Sequence, residues 1–201
     1  MLEGVPPLDR AAAAPEAWER LTREIASCRR CDLHATRTRV VVYRGGPAPR
    51  VLFIGEAPGA EEDRTGLPFQ GRSGKRLDAA IGSIGLRPAD FGIVNLIKCR
   101  PPENRFDPVA AGACRPYLER QLDWLHPERL VTLGAHALRA LDPSAPPVLT
   151  AAGTPRTLPR GPLFPLIHPA AALRSRRLAE RWTADVRSLG RWLERPPAQP
   201  V

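Results

Sequence analysis

Two hydrophobic periods alternate along the chain. Trp18, Leu21 and Ile25 recur at helical spacing, which predicts a helix from about Pro15 to Ser27. RVLFIG (50–55) is a short apolar run between turn residues, the pattern of a buried strand. GRSGKRLDAAIGSIG (71–85) then reads as a helix with glycine at both ends, and FGIVNLIK (91–98) as a second strand. DPVAAGACRPYLERQLDWL (107–125) is a helix, with Pro108 suited to its first turn and Leu118, Leu122 and Leu125 on one face. RLVTLG (129–134) is a third strand, AHALRAL (135–141) a short helix, and GPLFPLIHP (161–169) carries a fourth strand. The last helix lines up Leu178, Trp182, Val186, Leu189 and Leu193. Strands alternating with helices predict an α/β fold with a parallel sheet covered on both faces. CRRCDLHATRTRVVVYRGG (28–46) reads as loop or short strand, and the Pro-rich stretch 142–162 as an irregular surface connector.

Length bounds the organisation. The 201 residues suit one domain or one domain with an appendage. Residues 1–14 are Pro- and Ala-rich without periodicity and are expected to be frayed. One domain is expected over 15–195, with a tail at 196–201. No apolar run approaches the ~18–20 residues of a membrane helix, and no charged-then-apolar signal segment opens the chain. The expectation is a soluble, cytoplasmic monomer.

Charge changes the picture. There are 30 basic against 21 acidic residues, a balance that favours a polyanionic partner, with nucleic acid the commonest. Only Lys75 and Lys98 are lysines, and abundant Arg, Ala and Pro also suit GC-rich codon usage. Position therefore counts for more than total. Between Ala170 and Arg195 stand seven Arg against three acids.

The four cysteines are Cys28 and Cys31 in a C-x2-C pair, then Cys99 and Cys114. In a cytoplasmic chain this pattern favours a metal site over disulfides. Four thiolates suit zinc or an iron–sulfur cluster, and spacing does not separate the two. Such a site would staple the N-terminal arm to the sheet. It offers no open coordination position, so a structural role is expected.

The net-basic chain nevertheless places four carboxylates in GEAPGAEED (55–63), where a strand ends. A helix start would favour acids there. So would a catalytic edge, because open α/β folds bind ligands at the carboxyl ends of their strands. GEAPG, NLIKCRPP and IHPAAALR place Glu56, Asn95 and His168 on such an edge. GLPFQGRSG adds Phe69 between glycines. Singly, each has an ordinary structural reading. Together they are a carboxylate, an amide able to read a base edge, an aromatic plate and an imidazole.

These segments, GEAPGAEEDRTGLPFQGRSG, NLIKCRPPENR and HPAAALR, together with the cysteine spacing, resemble the family 4 uracil-DNA glycosylases over roughly Leu21 to Trp192. The cross-linking branch of that superfamily differs. It has Gln where this chain has Ala57, and a basic insert ending in His that CRPPENRFDP lacks. The resemblance implies an α/β/α sandwich around a four-stranded parallel sheet and a [4Fe–4S] cluster on Cys28, Cys31, Cys99 and Cys114, with zinc the less favoured occupant. It implies a monofunctional base-excision repair enzyme that flips deoxyuridine from single- or double-stranded DNA and hydrolyses its N-glycosidic bond. Glu56 would orient water and stabilise the cationic sugar. His168 would hydrogen-bond the oxygen on which charge develops. Asn95 would read the uracil edge, Phe69 would stack on the base, and the backbone at Ala57 and Gly59 would add N–H donors. Ala57 stands where family 1 enzymes use tyrosine to exclude thymine, so Glu62 and Asp63 are candidates for that wall, or for holding the loop. Leu173 would fill the gap left by the flipped base. Arg174, Arg176 and Arg177 would meet phosphates, as would Lys75 and Arg76 near a helix start. Two rival readings are a glycosylase for other deaminated bases and a non-catalytic iron–sulfur protein that binds DNA.

Overall fold

The computed structural model describes residues 10–196. The expectations for residues 1–9 and for the tail beyond 196 lie outside the described residues. A six-stranded sheet forms the centre, in the order β1-β3-β2-β4-β6-β5. Its middle consists of β2 (Val51–Gly55), β3 (Phe91–Asn95), β4 (Arg129–Leu133) and β6 (Gly161–Leu166). These four pair in parallel, as expected. Two short antiparallel strands close the edges, β1 (Arg44–Gly45) on β3 and β5 (Arg156–Leu158) on β6.

Alternation along each strand builds the layers. Val51, Phe53, Ile93, Val131 and Phe164 face one side, where α3 (Arg72–Ser83) contributes Leu77 and Ile81 and α8 (Arg176–Glu194) contributes Trp182, Val186, Leu189 and Leu193. Leu52, Ile54, Val94, Leu130 and Leu163 face the other, against Leu118, Leu122 and Leu125 of α4 (Pro108–Leu125) and Leu138 of α5 (Ala135–Leu141). Every residue of β2 and β4 is buried, as a central parallel strand covered on both faces must be. The result is the α/β/α sandwich.

The first helix, α1 (Arg10–Ala26), starts before the expected Pro15. The alanines ahead of that proline carry the best helix propensity, and Pro15 removes one backbone bond. Leu21 and Ile25 dock α1 on Tyr117 of α4.

The Pro-rich connector corrects the reading of an irregular excursion. It holds the helical turn α6 (Val148–Ala151) as well as β5. Asp142 organises it, accepting from Ser144 N at 3.1 Å and from Arg156 Nε at 2.5 Å. Arg129 of β4 ties down the end of α8. Its guanidinium donates to the Trp192 and Arg195 carbonyls and lies 4.7 Å from the Trp192 ring centre.

Helix α4 starts at Asp107, whose Oδ1 accepts from Val109 N and Ala110 N, each at 2.9 Å. Pro108 holds the first helical position, where its missing N–H costs nothing. Asp107→Ala should lower stability by about 1 kcal/mol, as loss of such a cap does. A urea midpoint unchanged from wild type would show that the cap is idle.

Candidate active site

Register assembles the site. Gly55 of β2 lies opposite Asn95 of β3, and Leu133 of β4 opposite Leu166 of β6. The carboxyl ends of all four central strands therefore finish along one edge. At that edge is a cavity of about 460 Å³, lined by Glu56, Ala57, Gly59, Glu62, Phe69, Asn95 and His168, with Arg174 also contributing. The structure thus brings together the base-reading and catalytic candidates from three strand ends and the loop before α3.

Glu62 is the buried anchor of the wall. It lies in α2 (Ala60–Thr65), and its Oε2 accepts from Gly59 N at 2.9 Å. Its Oε1 accepts from Gln70 N at 2.7 Å and Gly71 N at 2.8 Å. One carboxylate thereby joins the GEAPG loop to the Phe69 loop. Asp63, paired with Glu62 in the sequence reading, points elsewhere. Its Oδ1 accepts from Thr38 N at 2.9 Å and Arg39 N at 3.3 Å, and so holds the N-terminal arm. Neighbours on a helix diverge by about 100°, and of the pair only Glu62 lines the cavity.

Phe69 is buried, with φ of 55°, a left-handed conformation that costs a non-glycine residue energy. Two glycines make room for it. A Cβ on Gly55 would stand 2.6 Å from the Phe69 ring and collide with Asn95 Oδ1; one on Gly74 would strike the Phe69 carbonyl. The ring centre lies 5.8 Å from that of His168.

Asn95 is 1% exposed, and among the described residues its Oδ1 has no hydrogen-bond partner. A buried acceptor left unpaired costs ~1–3 kcal/mol. Asn95 lines the cavity, so a ligand that enters it can bring an N–H to this acceptor. Behind it, Lys98 is buried too, and its Nζ donates to the Asn95 carbonyl at 2.5 Å. Burial lowers the Lys98 pKa to about 8.

His168 caps α7 (Pro169–Ala172), its Nδ1 accepting from Ala170 N at 3.2 Å. That bond assigns the ring proton to Nε2, which is left as the donor. Burial lowers the His168 pKa, Glu56 and Glu62 pull the other way, and Arg174 adds to the lowering. The neutral imidazole is therefore favoured.

Glu56 has a partner that the sequence reading did not name. His136 Nδ1 lies 2.6 Å from Glu56 Oε2, and the Phe106 ring stacks on the imidazole at 3.8 Å and 7°. His136 is in α5, straight after the end of β4. That strand end, TLGAH, carried the signal. Ser73 and Asn104 also line the cavity without having been expected.

The basic candidates divide. Arg174 lines the cavity and is exposed, and Leu173 beside it is 38% exposed. Arg176 is exposed and pairs with Glu180 at 3.1 Å, and Arg177 is exposed. Lys75 is exposed on α3 outside the cavity. Arg76 instead lines a separate, larger groove of about 690 Å³ between α3 and α8.

All four cysteines are free and line one small pocket with Arg37, Lys98 and Tyr117. Arg37 Nη1 donates to Cys99 Sγ at 3.3 Å. Burial pushes the Cys99 and Cys114 thiols up, so their thiolates need cationic or metal company. Among the described residues no group of three or more His, Cys, Asp or Glu is arranged to hold a single metal ion. The four-sulfur donor set with two adjacent cations nevertheless fits an anionic iron–sulfur group.

A family model, the Uracil DNA glycosylase superfamily, matches residues 42–187, a span that holds the cavity residues as well as Cys99 and Cys114. The type-4 uracil-DNA glycosylase of Archaeoglobus fulgidus is 38% identical over 87% of this chain and 92% of its own length. That of Thermotoga maritima is 38% identical over 80% of this chain and 85% of its own. That of Sulfurisphaera tokodaii is 43% identical over 62% of this chain and 57% of its own. The chain belongs to the uracil-DNA glycosylase superfamily. Its place there is with the type-4 members. The superfamily's α/β architecture agrees with the sandwich seen here. Among the described residues no helix is long and apolar enough to cross a membrane.

His168 also gives the site a pH signature. Because the folded state holds its proton less tightly than an ordinary histidine of ~6.5, its contribution to stability is present above that pH. It fades as pH falls below it, when the unfolded chain takes up the proton first. Wild type should therefore lose more stability between pH 7 and pH 5 than His168→Asn. Parallel slopes of urea midpoint against pH in the two proteins would contradict the neutral, buried imidazole.

Proposed function

We propose that the protein is a uracil-DNA glycosylase of base-excision repair, which releases uracil from a flipped deoxyuridine and leaves an abasic site. The observation that carries this reading is the unpaired, buried Oδ1 of Asn95 at the floor of a cavity that also holds an aromatic plate, a carboxylate and an imidazole donor. Uracil offers an N–H beside a carbonyl. The Asn95 amide answers with its free acceptor and its NH2 donor. Phe69 gives the ring a stacking face. A base reaches this depth only after leaving the duplex.

Chemistry follows from the remaining groups. As the C1′–N1 bond breaks, its electron pair moves onto uracil and the sugar becomes cationic. The Nε2–H of a neutral His168 donates to the uracil oxygen that gathers the negative charge. The Glu56 carboxylate faces the cation and orients the water whose oxygen bonds to C1′, taking up its proton. The N–H at Ala57 adds to the positive lining, whereas the Gly59 N–H expected beside it is spent on Glu62. Thymine exclusion must be steric, because a methyl group is worth only ~1–3 kcal/mol in an attractive pocket. Ala57 is too small to block it. Glu62, immobilised by three backbone N–H groups, supplies a wall that cannot yield.

Arg174 and Arg176 meet phosphates around the mouth, and exposed Leu173 enters the gap left by the flipped base. Lys75 and Arg76 lie farther along α3 and contact the backbone there. Cys28, Cys31, Cys99 and Cys114 hold a [4Fe–4S] cluster, which when bound supplies a staple between arm and sheet.

Release of uracil from a uracil-containing oligonucleotide tests the reading directly. Binding without release of any base would favour the non-catalytic alternative. Asn95→Asp replaces the amide donor with an acceptor, and cytosine presents an amino group where uracil has a carbonyl. The ratio of uracil to cytosine excision should fall by at least about fivefold, since each edge contact discriminates by ~1–3 kcal/mol. An unchanged ratio in a folded variant would remove Asn95 from recognition. For the cysteine site, purified protein should be brown and absorb near ~400 nm. A colourless protein carrying one zinc per chain would reject the cluster.

A further inference from the structure

We infer that His136, clamped by Phe106, is a positioning residue that sets the Glu56 carboxylate for its part in the reaction. The inference rests on the role given to Glu56 above and adds a residue from a fourth strand end.

The geometry is specific. Glu56 follows the last residue of β2 and is only partly buried, with 29% of its side chain exposed. A glutamate so placed has several rotamers to choose from. His136 Nδ1, 2.6 Å from Oε2, selects among them. A carboxylate can only accept, so Nδ1 carries the proton. Oε2 is thereby committed to the imidazole, and Oε1 is left for a water in the cavity.

The imidazole is held in turn. Gly134 follows the last residue of β4, and α5 begins one residue before His136. The Phe106 ring covers one face of the imidazole at 3.8 Å, nearly parallel. Phe106 packs partly buried against the core on the α4 side of the sheet. It follows the turn that carries Asn104, whose Oδ1 accepts from Arg100 Nε at 2.9 Å. An exposed ion pair between two free side chains is worth little. This contact differs because a stacked ring and a strand end fix the histidine before Glu56 meets it, so little ordering remains to be done when substrate binds.

The test uses the whole protein at single turnover, with enzyme in excess over uracil DNA. H136A should lower the rate of the chemical step about tenfold, within the range for directly bonded pairs, and leave the DNA Kd within twofold. H136N, whose amide Nδ2 can stand where Nδ1 stood, should recover most of that loss. F106A should reproduce part of it. The decisive comparison is H136A in an E56A background. A residue that acts through Glu56 adds no further loss there. A loss of the same factor in both backgrounds would overturn the inference, as would a wild-type rate in folded H136A.

A second arm does not need uracil excision. In 15N-histidine spectra of the wild type, the His136 ring should be protonated at Nδ1, and this preference should vanish in E56A. A ring protonated only at Nε2, or one indifferent to E56A, would refute the contact itself. If the wild type releases no uracil, the functional reading fails and this arm alone decides the positioning role.

Discussion

The buried carboxylate of Glu62 is the constraint on which the cavity depends. Removing a charge from water is costly unless its oxygens are hydrogen-bonded. Three backbone N–H groups meet that need, and they come from the two loops that flank α2. Satisfying one anion therefore fixes the loop that presents Glu56 and Ala57 relative to the loop that presents Phe69. The left-handed backbone of Phe69 is held at a cost of the order of 1–3 kcal/mol, and the bonds to the two residues after it, Gln70 and Gly71, help to offset that cost. Gly55 and Gly74 complete the arrangement by removing atoms rather than adding contacts.

A second layer of buried polar groups lies behind the cavity floor. Asn95 ends β3, and Lys98, three residues on, returns its ammonium to the Asn95 carbonyl. The backbone carbonyl of Lys98 accepts from Val41 N at 2.8 Å, which adds the N-terminal arm to this edge. Cys99 follows at once. The residue proposed to read the base and a residue proposed to hold the cluster thus belong to one short, continuous segment. Its burial is possible because side chains and the arm answer its polar groups.

How much of this the sequence disclosed follows from how local each signal is. The four parallel strands were legible because each is a short, nearly continuous apolar run. Their register then had to place Glu56, Asn95 and His168 on one edge. The two outer strands were not legible: β1 and β5 span two and three residues, too few to show a period. Glu62 and Asp63 could not be told apart, since adjacent acids on a helix differ only in direction, and direction depends on which loops pack nearby. The same ambiguity covered Lys75 and Arg76, one exposed and one in a groove against α8. His136 was missed for a different reason. It is an ordinary polar residue in a short helix, and its meaning comes from Phe106 and Glu56, both distant in sequence.

That last case bears on how the site tolerates its exposure. A carboxylate proposed to face a cation must stay in place, which is hard to arrange at a cavity mouth. Full burial would fix Glu56 but would strip its carboxylate of water. Exposure keeps it hydrated but leaves it mobile. Pairing one oxygen with a stacked imidazole restrains it without further burial, because the stacked ring supplies the rigidity. His168, in the role proposed for it, meets the contrary requirement. It would act as a neutral donor, and burial lowers its pKa and so favours that form. The different depths of the two histidines thus suit the roles proposed for them: one would hold a carboxylate within water's reach, the other would face an oxygen whose charge appears only during reaction.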